Sequence, residues 1–199
     1  MNDTGLNQGT SGNISVRHKD GMLITPTSMP YASMKPADIV FVDANGQAHG
    51  QQKPSSEWRF HRDILQARPD VDAVVHTHAI YCSTLGILGK EIPPLHYMVA
   101  VAGGHNIRCA PYAIYGSQEL SDHVIEALVD RKACLMDHHG MIAIGTTLEQ
   151  AMWLAVEVET LARQYHGCLQ LGNEPPLLSK EQIQAVIDKI GGYGQTSHG

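Results

Sequence analysis

Short runs of apolar residues, bounded by glycine, proline or asparagine, predict the β-strands of this chain. Many of these runs are rich in valine and isoleucine, which is typical of strands rather than of helices. The predicted strands cover residues 14–17, 21–25, 39–42, 73–78, 107–109, 134–136 and 141–144. The turn residues Asp43-Ala44-Asn45-Gly46 follow the third run, so we expect the early strands to pair in an antiparallel manner.

Apolar residues at helical spacing predict helices between and after these strands. The first helix begins at Ser55 or Ser56, either of which can cap it, and ends before Pro69. Further helices are predicted over 80–88, 117–130 and 146–169 and from residue 179 onward. The longest has the spacing of a capping box, from Thr146 to Glu149. The order predicts an α/β fold with a central, mostly antiparallel β-sheet flanked by helices, and residues 1–199 are expected to form a single domain.

Composition and charge narrow the class of partner. Hydrophobic residues make up 43% and charged residues 17% of the 199-residue chain, which is an ordinary globular composition. The net charge is −6 and lysine and arginine form no cluster. We therefore expect neither nucleic acid nor an anionic membrane as a partner. A small anionic substrate remains compatible with this charge, because a local site can oppose the overall sign.

The cysteines and the chain start indicate a cytoplasmic protein. The four cysteines form no C-x-x-C motif, and a chain of this length needs no disulfides to be stable. They are Cys82, Cys109, Cys134 and Cys168. No apolar run approaches the roughly 18 residues of a membrane span, and the polar start lacks a signal-peptide pattern.

Two histidines at the end of a predicted buried strand point to a metal. His76 and His78 follow the apolar run of residues 73–75. Side chains alternate faces along a strand, so both imidazoles point to one side only if the chain is extended there. Two buried imidazoles need polar partners, and a divalent cation is one that binds both. The alternative for any histidine is a structural or surface role, and a chain with 12 histidines contains some pairs by chance.

The remaining ligands of a catalytic metal site must come from elsewhere in the chain. A catalytic zinc usually has three protein ligands and an open position. Either His138 or His139 could be the third, and we favour His139 because the adjacent Gly140 lets the backbone approach closely. Glu57, in the first turn of the predicted helix, is the candidate acid/base. A carboxylate favoured by the positive end of a helix explains Glu57 equally well.

Several segments offer donors for an anionic group. Ser55 and Ser56 begin a helix, where free backbone N–H groups and the helix dipole favour an anion. The pair Gly12-Asn13 and the segment 25–28 offer further amide and hydroxyl donors. No P-loop pattern is present, so a nucleoside triphosphate is not indicated. A capped turn explains each segment alone, but together with a metal they indicate a phosphorylated small substrate.

With these motifs in order, the chain resembles the class II aldolase/adducin family. The matching stretches are GLNQGTSGNISVR, DGMLITPTSMPY, KPSSEWRFH, AVVHTHAIYC, IPPLHYMVAVAGG, CAPYAIYGSQEL and DHHGMIA. They span nearly the whole chain at the family's spacing, which makes the resemblance far more specific than any single motif. Members of the family carry an extra helix before the Gly5 segment, and this chain is expected to lack it.

The resemblance implies the following site. One zinc ion per subunit is bound by His76, His78 and His139, with Glu57 as the acid/base that also contacts the metal. A phosphate pocket is formed by Thr10, Gly12, Asn13, Thr27, Ser28, Ser55 and Ser56. Tyr97 is a proton donor from a neighbouring subunit of a homotetramer, whose active sites lie at subunit interfaces. Tyr115 borders the aldehyde pocket and Tyr193 closes over it.

The implied reaction is the reversible cleavage of a ketose 1-phosphate. A substrate like L-fuculose 1-phosphate would give dihydroxyacetone phosphate and an aldehyde like lactaldehyde. Four positions depart from that pattern: Ser28 replaces glycine, Tyr115 and Ile190 replace phenylalanine, and Thr196 replaces arginine. The aldehyde half of the pocket is therefore expected to differ.

Alternatives within the family follow from these departures. An aldolase for 5-deoxy- or methylthio-pentulose 1-phosphates fits an altered aldehyde pocket. A sugar-phosphate dehydratase uses the same metal ligands, whereas a 4-epimerase has aspartate where Glu57 stands. A non-enzymatic scaffold, like the adducin head, is the alternative from a different class. The three histidines speak against it, because they would have no purpose there.

Overall fold

The computed structural model describes residues 1–191, which form an eight-stranded sheet with helices on both faces. The strands are β1 (Asn13–His18), β2 (Gly21–Ile24), β3 (Val40–Val42), β4 (Ala48–His49), β5 (Ala73–Thr77), β6 (Cys109–Ala110), β7 (Ala133–Met136) and β8 (Gly140–Gly145). Their order across the sheet is β4-β3-β2-β1-β5-β8-β7-β6. Neighbouring strands are antiparallel except β6 and β7, which run parallel. The predicted α/β fold with a mostly antiparallel sheet is confirmed.

Two helices cover each face of the sheet. The α-helices are α1 (Trp58–Ala67), α2 (Ile80–Ile87), α3 (Gln118–Ala127), α4 (Leu148–Gln170) and α5 (Lys180–Gly191). Helices α1 and α3 pack together on one face, and α2 and α4 pack together on the other. A 3₁₀ helix, Tyr97–Ala102, lies between α4 and α5 and contacts both. None of these helices, within the described residues, is long and apolar enough to cross a membrane.

Strand β5 lies in the middle of the sheet, and every one of its residues is buried. Its side chains alternate as the period of a strand requires. Ala73 and Val75 pack against the α2/α4 layer, whereas Val74 packs against the α1/α3 layer. His76 follows on the side of Val74 and contacts Phe60 of α1. The chain is therefore extended where the His-x-His motif begins, as its spacing predicted.

The structure corrects three local predictions. The N-cap residue of α1 is Glu57 and not Ser55 or Ser56, because the residues from Ser55 to Trp58 form a turn in which the Ser55 hydroxyl accepts from the backbone N–H of Glu57. The cap of α4 is Thr147, whose hydroxyl accepts from the backbone N–H of Gln150, so the capping box from Thr146 to Glu149 is wrong by one residue. Both threonines can cap, and the register of the buried α4 face decides between them. The strand predicted over 107–109 is instead β6, at Cys109–Ala110, and Ile107 forms an isolated bridge with Ile92.

Candidate metal and substrate site

Four side chains converge next to the end of β5. One donor atom from each of Glu57, His76, His78 and His139 lies within 4.8 Å of all the others. The Nε2 atoms of His76 and His78 are 3.1 Å apart, and Oε2 of Glu57 lies 3.2 Å from Nε2 of His76. Oε1 of Glu57 lies 3.0 Å from Nε2 of His139. The four residues expected from the sequence to bind the metal therefore lie together in one cluster.

The four residues are carried by a strand end, a helix start and a turn. His76 is the penultimate residue of β5 and His78 follows that strand directly. Glu57 is the N-cap residue of α1, whose start faces the sheet at this point. His139 lies in the β7–β8 turn, where His138 adopts a left-handed conformation with φ of 53°. That turn sends the two adjacent imidazoles in different directions, and only His139 joins the cluster.

Gly140 is required by the close approach of two backbones. A Cβ atom on Gly140 would lie 2.2 Å from the carbonyl oxygen of Thr77 and 3.3 Å from the ring of His78. No side chain fits there without moving β8 away from β5. The expectation that glycine beside His139 permits a close approach is confirmed, and the approach is to β5, the strand that carries His76.

Backbone contacts orient the imidazoles. Nδ1 of His76 lies 3.0 Å from the carbonyl oxygen of Met141. A carbonyl can only accept, so Nδ1 carries the proton and Nε2 presents its lone pair to the cluster. The backbone N–H of His78 donates to Oδ1 of Asn7 at 2.9 Å. The hydroxyl of Ser83 donates to the carbonyl oxygen of His139 at 3.2 Å.

Helix α2, which follows His78, is capped from another helix. The carboxylate of Glu159 on α4 accepts the backbone N–H groups of Tyr81 and Cys82, both at 2.9 Å. A helix start leaves such N–H groups without intrahelical partners, and a carboxylate there also favours the helix dipole. Glu159 therefore fixes the point at which the chain leaves the His-x-His motif.

The electrostatics of the cluster favour a bound cation. Glu57 is 7% exposed, and its Oε1 has no hydrogen-bond partner although an imidazole nitrogen lies 3.0 Å away. Burial raises the pKa of the Glu57 carboxyl, but positive charge on the neighbouring His76 and His139, when they are protonated, outweighs burial and holds that pKa well below its usual range. Burial, together with His76 and His139, lowers the pKa of His78 to about 4. At neutral pH the site therefore presents an ionised carboxylate beside an uncharged imidazole.

The donor set fits a divalent metal of the zinc type. Two ligands at roughly 2.0–2.1 Å from a tetrahedral ion lie about 3.3 Å from each other. The three contacts within the cluster measure 3.0, 3.1 and 3.2 Å. Lone pairs that face one another at this separation repel unless a positive charge lies between them. Nitrogen ligands with one carboxylate suit zinc and related ions.

A cavity of about 400 Å³ opens beside the cluster. All seven residues expected to bind phosphate line it, as do Glu57, His78 and His139. The seven are Thr10, Gly12, Asn13, Thr27, Ser28, Ser55 and Ser56. Neither lysine nor arginine is among the described lining residues. Hydroxyl groups, amides and the start of α1 therefore provide the polarity of this cavity.

Hydrogen bonds connect the three loops that carry the seven residues expected to bind phosphate. The backbone N–H of Ser55 donates to the carbonyl oxygen of Thr25 at 3.1 Å. The hydroxyl of Tyr31 donates to the carbonyl oxygen of Gly12 at 2.8 Å. Ser28 has a φ of 57°, a left-handed conformation that few residues other than glycine adopt. Ser28 is also the position at which this chain has serine where the family pattern has glycine.

The segment that carries Tyr112, Ile114 and Tyr115 also lines the cavity, together with His138. Tyr115, which is expected to border the aldehyde pocket, is one of these lining residues. Tyr97 is 53% exposed on its 3₁₀ helix and does not line this cavity within the same chain. Tyr193 and Thr196 lie outside the described residues.

Comparison with known proteins decides the family. The sequence profile of the Class II Aldolase and Adducin N-terminal domain matches residues 1–166. This chain belongs to that family. The resemblance recognised from the sequence motifs is confirmed.

Two curated relatives and one solved structure of this class II aldolase family show how far the similarity extends. The chain is 53% identical to the L-fuculose phosphate aldolase of Escherichia coli strain K12, over 98% of this chain and 90% of that protein. It is 55% identical to the 5-methylthioribulose-1-phosphate/5-deoxyribulose-1-phosphate aldolase of Rhodospirillum rubrum, over 97% of this chain and 87% of that protein. A solved L-fuculose 1-phosphate aldolase superposes with a TM-score of 0.91 at 38% identity, covering 95% of this chain and 90% of its own. All three are aldolases, enzymes of the lyase class.

Sequence reasoning in this family missed one buried polar residue behind the site. His61 is fully buried on α1, and its ring nitrogens contact Ser15 and Asn13. Burial, with a smaller effect of His76, lowers the pKa of His61 to about 3, so the ring is neutral at pH 7. A usable signal was present: His61 is four residues after Glu57, which places both on one face of a helix.

Proposed function

We propose that this protein is a zinc-dependent class II aldolase that reversibly cleaves a ketose 1-phosphate to dihydroxyacetone phosphate and an aldehyde. A substrate like L-fuculose 1-phosphate, with a lactaldehyde-like product, is the first candidate. The observation that carries the proposal is the cluster of three imidazoles and one carboxylate at a cavity walled by hydroxyl groups and a helix start. The names of the relatives above support it.

The metal would be held by His76, His78 and His139, with Glu57 as the residue that can also contact it, one ion per subunit. A divalent cation at this position supplies Lewis-acid stabilisation of negative charge on substrate oxygens. Zinc content of the purified protein, measured by elemental analysis, tests this assignment. A ratio near one per chain is expected. Metal-free protein with full stability would instead favour the scaffold function.

The phosphate group would lie against the start of α1. Ser55 and Ser56 precede that helix, and the loops that carry Thr10, Gly12, Asn13, Thr27 and Ser28 complete the wall. Free N–H groups at a helix start attract an anion without a charged side chain. Binding of the phosphate there would fix the orientation of the reacting carbon next to Glu57.

Glu57 would move the proton. In the synthetic direction its carboxylate takes a proton from C3 of dihydroxyacetone phosphate, and in cleavage it returns that proton. Its carboxylate lies both in the cluster and on the wall of the cavity, within reach of a substrate carbon held there. In Glu57→Gln, zinc content and phosphate binding should persist while exchange of the C3 proton with deuterated solvent slows. Unchanged exchange would rule out this role.

Tyr97 would protonate the aldehyde oxygen from a neighbouring subunit of a homotetramer, since it does not line the cavity of its own chain. Co-expression of Glu57→Gln with Tyr97→Phe tests this arrangement. Mixed assemblies contain sites with both native residues and should regain activity that neither variant has alone. Activity no higher than that of the separate variants would contradict a shared site.

A second candidate has an observation of its own. The aldolase from Rhodospirillum rubrum that acts on 5-methylthioribulose 1-phosphate or 5-deoxyribulose 1-phosphate is about as similar to this chain as the fuculose enzyme. Tyr112, Ile114 and Tyr115 give the cavity a largely apolar rim. Condensation of dihydroxyacetone phosphate with a panel of aldehydes distinguishes the two. Preference for lactaldehyde supports the first candidate, and preference for (methylthio)acetaldehyde or acetaldehyde supports the second. Tyr193 would close over the aldehyde in either case.

A cytoplasmic location belongs to the same proposal. All four cysteines are free in the structure. Reduced thiols are typical of the cytoplasm. Fractionation of the native host cells tests this location.

A further inference from the structure

A chain of polar side chains extends from Glu57 into the interior of the protein. Nδ2 of Asn13 lies 3.0 Å from Oε2 of Glu57. Oδ1 of Asn13 contacts Nε2 of His61, and Nδ1 of His61 lies 2.8 Å from the hydroxyl of Ser15. Asn13, Ser15 and His61 are all buried, so water does not replace these contacts.

Chemistry fixes the direction of every hydrogen bond in this chain. An ionised carboxylate only accepts, so Asn13 must present its NH₂ group to Glu57. The carbonyl oxygen of Asn13 then faces His61, which must donate from Nε2. Nδ1 of His61 is left with a lone pair, which accepts from the hydroxyl of Ser15. His61 is therefore the neutral Nε2–H tautomer.

We propose that His61 is a positioning residue of the aldolase reaction: it fixes the amide of Asn13 and, through it, the carboxylate of Glu57. Asn13 also lines the substrate cavity. If its amide turned over, its carbonyl oxygen would face the carboxylate and reduce the donors available to a substrate anion. The N–H of His61 makes that turned state unfavourable, because two hydrogen-bond donors would then face each other. The inference rests on the proposed function for its effect on rate.

The competing explanation is that His61 only fills space in the core. Its ring stacks on Phe60 with centroids 4.7 Å apart, and it is completely enclosed. A purely structural role predicts that any ring of similar size is acceptable. A positioning role predicts that the donor at Nε2 matters and that shape alone does not suffice.

The tautomer provides a test that does not depend on catalysis. ¹⁵N NMR of the zinc-loaded protein, labelled at histidine and assigned by the signal lost in His61→Gln, should show a neutral Nε2–H ring at neutral pH. A neutral Nδ1–H ring or a doubly protonated ring would overturn the proposal. The result stands even if the protein proves inactive on every ketose 1-phosphate, an outcome that would refute the proposed function alone.

Two substitutions test the effect on rate. In His61→Gln the side-chain amide can still donate to Oδ1 of Asn13, whereas His61→Phe keeps a ring of similar size and no donor. We expect kcat to fall about 10- to 100-fold in His61→Phe, because a freed Asn13 amide would lose its hydrogen bond to the charged carboxylate of Glu57, and such a bond typically contributes this much. Zinc content should be retained, and His61→Gln should recover most of the rate. Equal rates for the two variants would contradict the proposal.

Ser121→Ala is the matched control for helix stability. The hydroxyl of Ser121 donates to Oδ2 of Asp63 at 2.7 Å, so this variant also removes a buried hydrogen bond from α1. It should lower the unfolding midpoint and leave kcat unchanged. A fall in kcat as large as that of His61→Phe would mean that loosening of α1, and not the orientation of Asn13, explains the effect. If His61→Phe fails to fold, kcat of His61→Gln relative to Ser121→Ala decides: a kcat as high as that of Ser121→Ala supports the proposal, and a far lower one overturns it.

Discussion

Among the described residues, two clusters of buried polar side chains differ in how completely their hydrogen bonds are satisfied. In one, the guanidinium of Arg131 donates to the backbone carbonyl and to Oδ1 of Asn106, while Asn106 donates to Glu91. Arg131 also donates to the carbonyl oxygen of Asp130. In the other, Oε1 of Glu57 has no hydrogen-bond partner and several acceptors face one another.

This difference separates a structural cluster from a functional one. Donors and acceptors match within the Arg131 cluster, as expected where polar groups only have to be buried. The Glu57 cluster has an excess of acceptors, which is stable only when a cation or protons are added. Burial is similar, since Arg131 is 5% and Glu57 7% exposed. The balance of donors and acceptors, and not burial, therefore identifies the site.

The largest effect is expected from His78→Ala. This variant removes one imidazole from the acceptor-rich cluster, so zinc content should fall far below one per chain and aldolase activity by about 1000-fold or more. The measurements are elemental analysis and kcat/KM with a ketose 1-phosphate. Metal-stripped native protein is the control for folding and should unfold at a similar denaturant concentration. Full zinc content in the variant would remove His78 from the ligand set.

In contrast to His78→Ala, Arg131→Met should lower the stability of the protein and leave its activity unchanged. The methionine keeps part of the arginine stem but leaves Oδ1 of Asn106 and the carbonyl groups without donors. We expect the free energy of unfolding to fall by about 2–4 kcal/mol, with zinc content and kcat per folded molecule unchanged. Urea unfolding at fixed protein concentration measures the first quantity. A large loss of kcat would show that the two clusters are coupled.

Local patterns predicted the strands, the helices and the His-x-His pair because each depends on near neighbours, whereas the complete ligand set was implied by the family resemblance. The His-x-His spacing required a strand, and β5 supplies one with every residue buried. The pairing of Asn13 with His76 across β1 and β5 is different, because it depends on strand register between segments far apart in the chain. Motif spacing within one segment carries no information about that register.

For the same reason the supporting contacts were not foreseen. Glu159 caps α2 from the middle of α4, and Asn7 accepts from the backbone of His78, which is 71 residues later in the chain. The cap of α4 was misplaced by one residue because Thr146 and Thr147 are equivalent as local signals. Packing of the helix against the sheet decides between them, and packing is not visible in a short window.

Lowering the pH should reduce folding stability through His61, beside the Glu57 cluster, but not through Arg131. The expected loss is smaller than that in Arg131→Met. The pKa of His61 is about 3 when folded, against about 6.5 when unfolded. Between these values only the unfolded state binds the proton, so stability is full above pH 6.5 and falls as the pH decreases toward 3. His61 alone should cost about 2 kcal/mol between pH 7 and pH 5, whereas a guanidinium does not titrate in this range.

The measurement is urea unfolding at both pH values, with metal-stripped native protein and with His61→Gln. The native protein should lose more stability than the variant by that amount. Arg131→Met serves as the control and should show the same loss on acidification as the native protein. Equal losses for the native protein and His61→Gln would mean that His61 keeps its ordinary pKa in the folded state.

The smallest effect concerns backbone strain next to each cluster. Ser28, at the cavity, and Asp130, beside Arg131, both have a left-handed backbone, with φ of 57° and 55°. Aspartate tolerates this conformation better than serine does, because its short carboxylate bonds the local backbone. Ser28→Gly should therefore raise the free energy of unfolding by about 0.5–1 kcal/mol, after the entropic cost of glycine is deducted, and Asp130→Gly should raise it less. Urea unfolding of both variants measures the two differences. A larger gain for Asp130→Gly than for Ser28→Gly would contradict this prediction. It would mean that the left-handed backbone of Ser28 does not lower the stability of the protein.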